Sequence, residues 1–193
     1  MPRSRNSLGP IMGYHGCEKP VTEKVLAGGD HLKQSNNSYD WLGPGIYFWV
    51  DSPERAYAWA KERKLKNPSV IGAFIYPGLC LNLTDYGINE ELLESHHVLK
   101  MMNLTYDRPL PKNSIKNSGV FLKRELDCAV IQMLHDMRQA KNEEPYDSVY
   151  GVFEEGSSLF EGSGFKQKTH VQIAIRNTEC IQGYFRVAEN RYK

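Results

Sequence analysis

Three short stretches of this chain carry side chains that can do chemistry. The first is Tyr14-His15-Gly16, where a histidine at the end of an apolar run can aim a ring nitrogen at a ligand. A glycine follows it, and without a Cβ its backbone N–H and C=O can approach that ligand closely. The second is Gly43-Pro44-Gly45-Ile46-Tyr47-Phe48, a tight turn that delivers a tyrosine into a buried run. The third is Lys168-Thr169-His170-Val171-Gln172-Ile173, preceded by a loop with Glu154, Glu155 and Glu161. Taken singly, each serves equally well as structure: a core histidine, a turn into a strand, a solvated loop.

These residues need elements to hold them. Residues 11–16 read as a short strand, followed by a helix from about Glu18 to Ala27 that Gly28-Gly29 stops. Ile46 to Val50 is aromatic and β-branched, hence a buried strand. Asp51-Ser52-Pro53 then supplies a cap and a first-turn proline for an alanine-rich helix from Arg55 to about Leu65. Val70–Tyr76 reads as a strand, with Leu79–Leu81 as a partner folded back across Pro77-Gly78. Glu90 to Met101 reads as helical, residues 102–120 as irregular, and Phe121 to Ala140 as an amphipathic helix. Ser148–Phe153 is a strand. Thr169–Ile175 is another, with Val171, Ile173 and Ile175 on one face, so His170 and Gln172 share the opposite one.

Length and composition bound the function. The 193 residues suit one domain, and a chain this long buries roughly 70% of its unfolded surface without a staple. Lys plus Arg is 24 and Asp plus Glu 23, so global charge favours neither a wrapped polynucleotide nor an anionic membrane. Cys17, Cys80, Cys128 and Cys180 stand too far apart for metal-ligand spacing or a disulfide framework. No apolar stretch follows Arg3 and Arg5, and none elsewhere is long enough to span a bilayer. The expectation is a cytoplasmic protein with no membrane partner and no metal. Adjacent His96-His97 point about 100° apart on a helix and read as surface, as does the Lys61, Arg63, Lys64, Lys66 face.

The order of motifs is more telling than any one of them. His15-Gly16, a helix closed by glycines, Leu42-Gly43-Pro44-Gly45-Ile46-Tyr47-Phe48 and Ala56-Tyr57-Ala58-Trp59-Ala60 follow one another within residues 14–60. This resembles the first half of the ADP-ribosyltransferase fold, in the branch of diphtheria toxin and the poly(ADP-ribose) polymerases. Cys17 stands where that branch usually has Ser or Thr. The resemblance implies an α+β fold, a single domain over residues 1–193, with split antiparallel β-sheets flanked by helices around an NAD cleft. Residues 84–120 would be an irregular insertion or lid.

By the same resemblance, Gly16 grips the nicotinamide carboxamide, His15 bonds the adenine-side ribose, and Tyr47 stacks on nicotinamide. Gly45 lines the cofactor site, and Tyr57 or Trp59 covers the far side of the ring. The family's late-strand acid has no match, because His170-x-Gln172 occupies its place. Glutamine can bond ribose hydroxyls but supplies no negative charge to an oxocarbenium-like centre. Three outcomes stand open: Glu154, Glu155 or Glu161 supplies the charge, Gln172 works alone, or the domain binds NAD without turnover. The implied activity is an NAD-dependent mono-ADP-ribosyltransferase acting on a macromolecular acceptor, protein or nucleic acid. It has the character of a small toxin or effector, with a neutralising antitoxin or immunity protein. The alternatives are an NAD glycohydrolase and a silent NAD/ADP-ribose-binding module. An RNA 2′-phosphotransferase ranks last, with only Arg55 and Arg176 near the cleft.

Overall fold

A computed structural model describes residues 8–115 and 121–193. Arg3, Arg5 and residues 116–120 lie outside that range. The chain runs β1 (Ile11–Glu18), α1 (Lys19–Leu26), β2 (Ile46–Val50), α2 (Pro53–Glu62), β3 (Pro68–Ile75), β4 (Cys80–Asn82), α3 (Asn89–Thr105), β5 (Asn113–Ile115), β6 (Phe121–Arg124), α4 (Glu125–Ala140), β7 (Ser148–Phe153), β8 (His170–Ile175) and β9 (Ile181–Arg186). Seven strands form one sheet in the order β4-β7-β8-β2-β1-β3-β9, antiparallel throughout except for the parallel β4–β7 edge. The result is a mixed α+β domain.

Strand alternation and register sort the sheet's two faces. One face carries Ile46, Phe48, Ile71, Ala73, Ile75, Ile173 and Ile175, and α1 seals it with Val25. The other face is covered in two places. At one end α2 lays Ala56 on Tyr14, Trp49 and Val70. At the other, α4 packs Ile131 and Leu134 against Leu42, Leu81, Val149 and Ala174. Between α2 and α4 lies the stretch of sheet bearing Trp49, His170 and Gln172.

The seven strands make one continuous sheet where a split pair was expected, yet it is nearly divided. β1 and β2 pair only at Gly13–Val50 and Tyr14–Trp49. Past Tyr14, β1 stays with β3 as far as Glu18, while β2 stays with β8 down to Ile46. The strands therefore fork just where His15-Gly16 and Tyr47 sit.

Several expectations needed correction. β1 does not stop at Gly16 but runs on to Glu18, and Cys17 turns into the core, where its Sγ meets Thr22 Oγ1 at 3.2 Å. Burial raises its pKa, so it is no activated thiol. Residues 79–82 do not fold back on β3. Gly78, at φ 65°, turns the chain away, and Leu79 N–H donates to the Asp147 carboxylate (2.8 Å), delivering β4 to the far edge beside β7. Within residues 84–115, the helix expected over 90–101 is the 17-residue α3, which runs on to Thr105 and packs on α4, and Asn113–Ile115, read as irregular, is β5, which pairs with β6. Residues 121–124, read as helix, are that strand, and α4 begins at Glu125. β9 was missed; it pairs with β3.

Gly16 ties fork to helix. A Cβ there would lie 2.2 Å from the Ala56 carbonyl oxygen, so α2 can dock only on a glycine. Gly16→Ala should lose about 1–3 kcal/mol through overpacking, read as a lower urea midpoint. Gly183→Ala on β9, where a Cβ meets nothing within 4 Å, should leave the midpoint almost unchanged.

Candidate active site

The fork organises the first group of residues. Asp51 N–H donates to Met12 C=O (3.1 Å), so by antiparallel alternation Met12, Tyr14 and Gly16 direct their peptide groups toward β2. At Gly16 the partner strand has already turned away, and its backbone N–H and C=O face the gap. His15 points its ring to the opposite face of the sheet, 5.9 Å from Phe48, and its Nδ1 lies 2.7 Å from the Tyr47 carbonyl oxygen. A carbonyl only accepts, so Nδ1 carries the proton and Nε2 keeps a lone pair. Burial holds the His15 pKa below its ordinary value, against the opposing effect of that bond, and keeps the ring neutral near pH 7.

Tyr47 turns to the α4 side of the sheet. Its hydroxyl donates to Gly43 C=O (2.7 Å) and accepts from Leu42 N–H (2.8 Å), and burial raises its pKa well above the usual value. The ring is thereby fixed against the Leu42 cluster. Gly45 bonds Ser35 through both its N–H (3.0 Å) and its C=O (2.8 Å). A Cβ there would come 2.9 Å from Ile175 O, so this glycine serves a close backbone approach rather than presenting peptide groups to a ligand.

A second group gathers at the start of β8. Gln172 Nε2 donates to His170 Nε2 (3.1 Å), and His170 Nδ1 donates to Lys168 C=O (2.6 Å). Both side chains lie on the face opposite Ile173, as the alternation predicts, but they are buried (9% and 6% exposed) rather than open to a cleft. The cover is aromatic. Trp41 lies 6.5 Å from the His170 ring at 22°, Trp49 is at 6.4 Å and Phe153 at 5.8 Å. Arg124 stacks over Trp41 and Phe153 at 4.6 and 4.9 Å. Of the three loop glutamates, Glu154 and Glu161 are exposed and only Glu155 turns inward, 3.7 Å from His170 Nδ1. Arg55 Nη2 clamps it at 3.0 Å.

Cross-strand register joins the two groups. Tyr14, Trp49 and Gln172 form one row across β1, β2 and β8, one step along the strands from Gly16 and Tyr47. Trp59 lies 5.5 Å from Trp49 in this neighbourhood, whereas Tyr57 packs on Tyr192 at 5.0 Å, away from Gln172. Of the alternative ring-covering residues, Trp59 is the one brought to the site. Trp49 Nε1 and the Arg55 Nε and Nη1 donors are buried with no hydrogen-bond partner among the described residues. A cavity of about 400 Å³ adjoins this group, with Trp41, Arg124 and Phe153 in its wall. A larger one, about 880 Å³, opens between α3 and α4, far from it. Neither is lined by His15, Gly16, Tyr47 or Gln172.

Among the described residues no group of three or more His, Cys, Asp or Glu is placed to hold a metal, and no helix is long and apolar enough to cross a membrane. No family model, no curated protein and no solved structure matches this chain.

Sequence reasoning did not find Trp41, Trp49, Phe153 and Arg124, and weighed Arg55 only for an RNA 2′-phosphotransferase. A signal was present: all three tryptophans of the chain fall within residues 41–59, one of them in a polar loop.

Arg55 Nη2 is bonded to the inward-facing Glu155 at 3.0 Å. Arg55→Leu strands that carboxylate and should cost roughly 1–3 kcal/mol, with Arg55→Lys recovering part of it in urea titrations. Burial lowers the pKa of His15, His135 and His170 below 6.5. The unfolded chain then binds protons that the folded chain refuses. Stability should therefore be full above about pH 6.5 and fall as pH drops below it, with the urea midpoint tracking that loss.

Proposed function

We propose that this chain is an NAD-dependent mono-ADP-ribosyltransferase. The observation that carries the reading is the fork between β1 and β2, which turns the Gly16 peptide toward a gap beside Tyr47, one step from Gln172. In this reading the nicotinamide carboxamide pairs with the Gly16 backbone, and the fixed Tyr47 ring provides an apolar plane beside it. Gln172 holds the adjoining ribose through its amide oxygen. The glycosidic bond breaks with its electron pair leaving on nicotinamide, and a nucleophile of the acceptor takes the anomeric carbon. Rate enhancement comes from positioning and from oriented dipoles.

Glu155 does not act as the missing acid here. It sits at the Nδ1 edge of His170, with Gln172 at the Nε2 edge, and Arg55 neutralises it. With Glu155 held by Arg55 rather than free to activate a ribose hydroxyl, the product is a single ADP-ribose rather than a polymer. The 154–168 loop closes on itself through Leu159–Phe165, Gln167–Ser157 and Lys168–Glu155 backbone bonds. It thrusts Leu159, Phe160 and Phe165 into solvent next to the site, an apolar surface suited to a macromolecular acceptor.

A second reading, a silent NAD or ADP-ribose binder, has its own support. Trp49, only 3% exposed, fills the row between Tyr14 and Gln172, and the inward-turned Glu155 is paired with Arg55.

Free nicotinamide release from NAD separates these readings. Measured alone, with RNA or DNA, and with cell protein, it should rise with one acceptor class and vanish in His15→Ala. Gln172→Ala should lose roughly tenfold or more, about 1.4 kcal/mol of barrier. Full activity in Tyr47→Ala would refute the site. Acceptor-independent release would mean a glycohydrolase, and NAD binding without release a silent module.

A further inference from the structure

Gln172 is the residue on which the proposed chemistry turns, and its amide can present either an oxygen or an NH₂ to a ribose. Which end faces outward is decided by its neighbour. The His170 ring has little freedom: Trp41, Trp49 and Phe153 surround it, and Nδ1 sits 2.6 Å from Lys168 C=O. That carbonyl cannot donate, so Nδ1 carries the proton and the neutral ring offers only a lone pair at Nε2. Gln172, 3.1 Å away, must meet it with N–H, and its Oε1 points away from the histidine.

We propose that His170 is a positioning residue that fixes the Gln172 amide with its oxygen outward, and that protonating His170 inverts the amide. The proposal rests on the reading of Gln172 as the ribose ligand. A proton added to Nε2 would face the Gln172 NH₂, donor against donor, in a buried pair. The His170 ring is pinned, whereas a terminal amide torsion is broad and two-fold. Gln172 therefore rotates, its oxygen takes the new N–H, and its NH₂ turns toward the site. A ribose hydroxyl loses its acceptor, and an electron-poor sugar meets a donor dipole of the wrong sign.

The charges around the ring set where this happens. Glu155, on the loop after β7, favours the proton from the Nδ1 edge. Arg55 on α2 and Arg124 ahead of α4 oppose it, and Lys168 Nζ is tied up by Glu62 at 2.8 Å. Burial is the largest influence and places the transition below pH 6.5.

Long-range ¹⁵N–¹H NMR of the wild-type protein provides the test. At pH 7.5 His170 should show a protonated Nδ1 and a bare Nε2. On acidification the Gln172 side-chain amide signals should shift with the same midpoint as His170. Gln172→Glu offers Nε2 an acceptor, so the His170 midpoint should rise by about one unit or more. A protonated Nε2 in neutral His170, or Gln172 signals indifferent to its titration, would overturn the proposal without any variant. Nicotinamide release is read on the same samples: its absence, with the expected NMR result, would defeat the transferase reading and leave the amide orientation standing.

Discussion

The Tyr47 carbonyl is where the two halves of the sheet would come apart if it had no partner. β1 and β2 separate after two cross-strand pairs, and a backbone group abandoned inside a fold must find another partner or cost a lost hydrogen bond. His15 Nδ1 supplies it from across the fork. That bond lets the strands diverge while the domain stays whole, with the buried Gly16 peptide turned toward the gap between them. The histidine is thus structural and site-forming at once. Its proton is committed to Nδ1, and burial keeps it neutral where a charged ring would be costly.

The rest of the site is built around what the fork leaves beside it. α2 can approach only because residue 16 has no Cβ. Its descent brings Arg55 over the start of β8, where Arg55 captures Glu155 and folds the loop base against His170. α4 and the residues before β2 close the other flank with Trp41 and Arg124 stacked together. A polar pair on an otherwise apolar sheet is buried at a cost unless its hydrogen bonds are complete. His170 and Gln172 satisfy each other and Lys168 C=O, which is why they tolerate an aromatic enclosure.

An acid in place of Gln172 would need a compensating charge in this enclosure. The chain carries a neutral pair instead, and the inward-turned Glu155 is already matched to Arg55. In the proposed function, such a site would polarise a substrate by oriented dipoles whose direction depends on protonation state. A fixed charge would have no such dependence.

Local pattern in the sequence was enough for much of the frame. The period-2 run at Val171, Ile173 and Ile175 placed His170 and Gln172 together on the opposite face, and the glycine turn before Ile46 announced β2. A first-turn proline marked α2, and a glycine pair marked the end of α1. These features depend on neighbours a few residues away, which a sequence displays directly. What it could not display was partnership over long separations. Residues 79–82 look like the return arm of a hairpin, but Asp147 pulls them to the other edge of the sheet. Glu154, Glu155 and Glu161 are alike in sequence, and only the position of Arg55, a hundred residues earlier, selects Glu155. Burial of Gln172, and the tautomer of the histidine beside it among three aromatic rings, likewise follow from side chains that meet only when the sheet is assembled. Residue types and periodicity determined which chemistry was on offer, and tertiary contact decided which groups are charged, which are paired and which way the amide points.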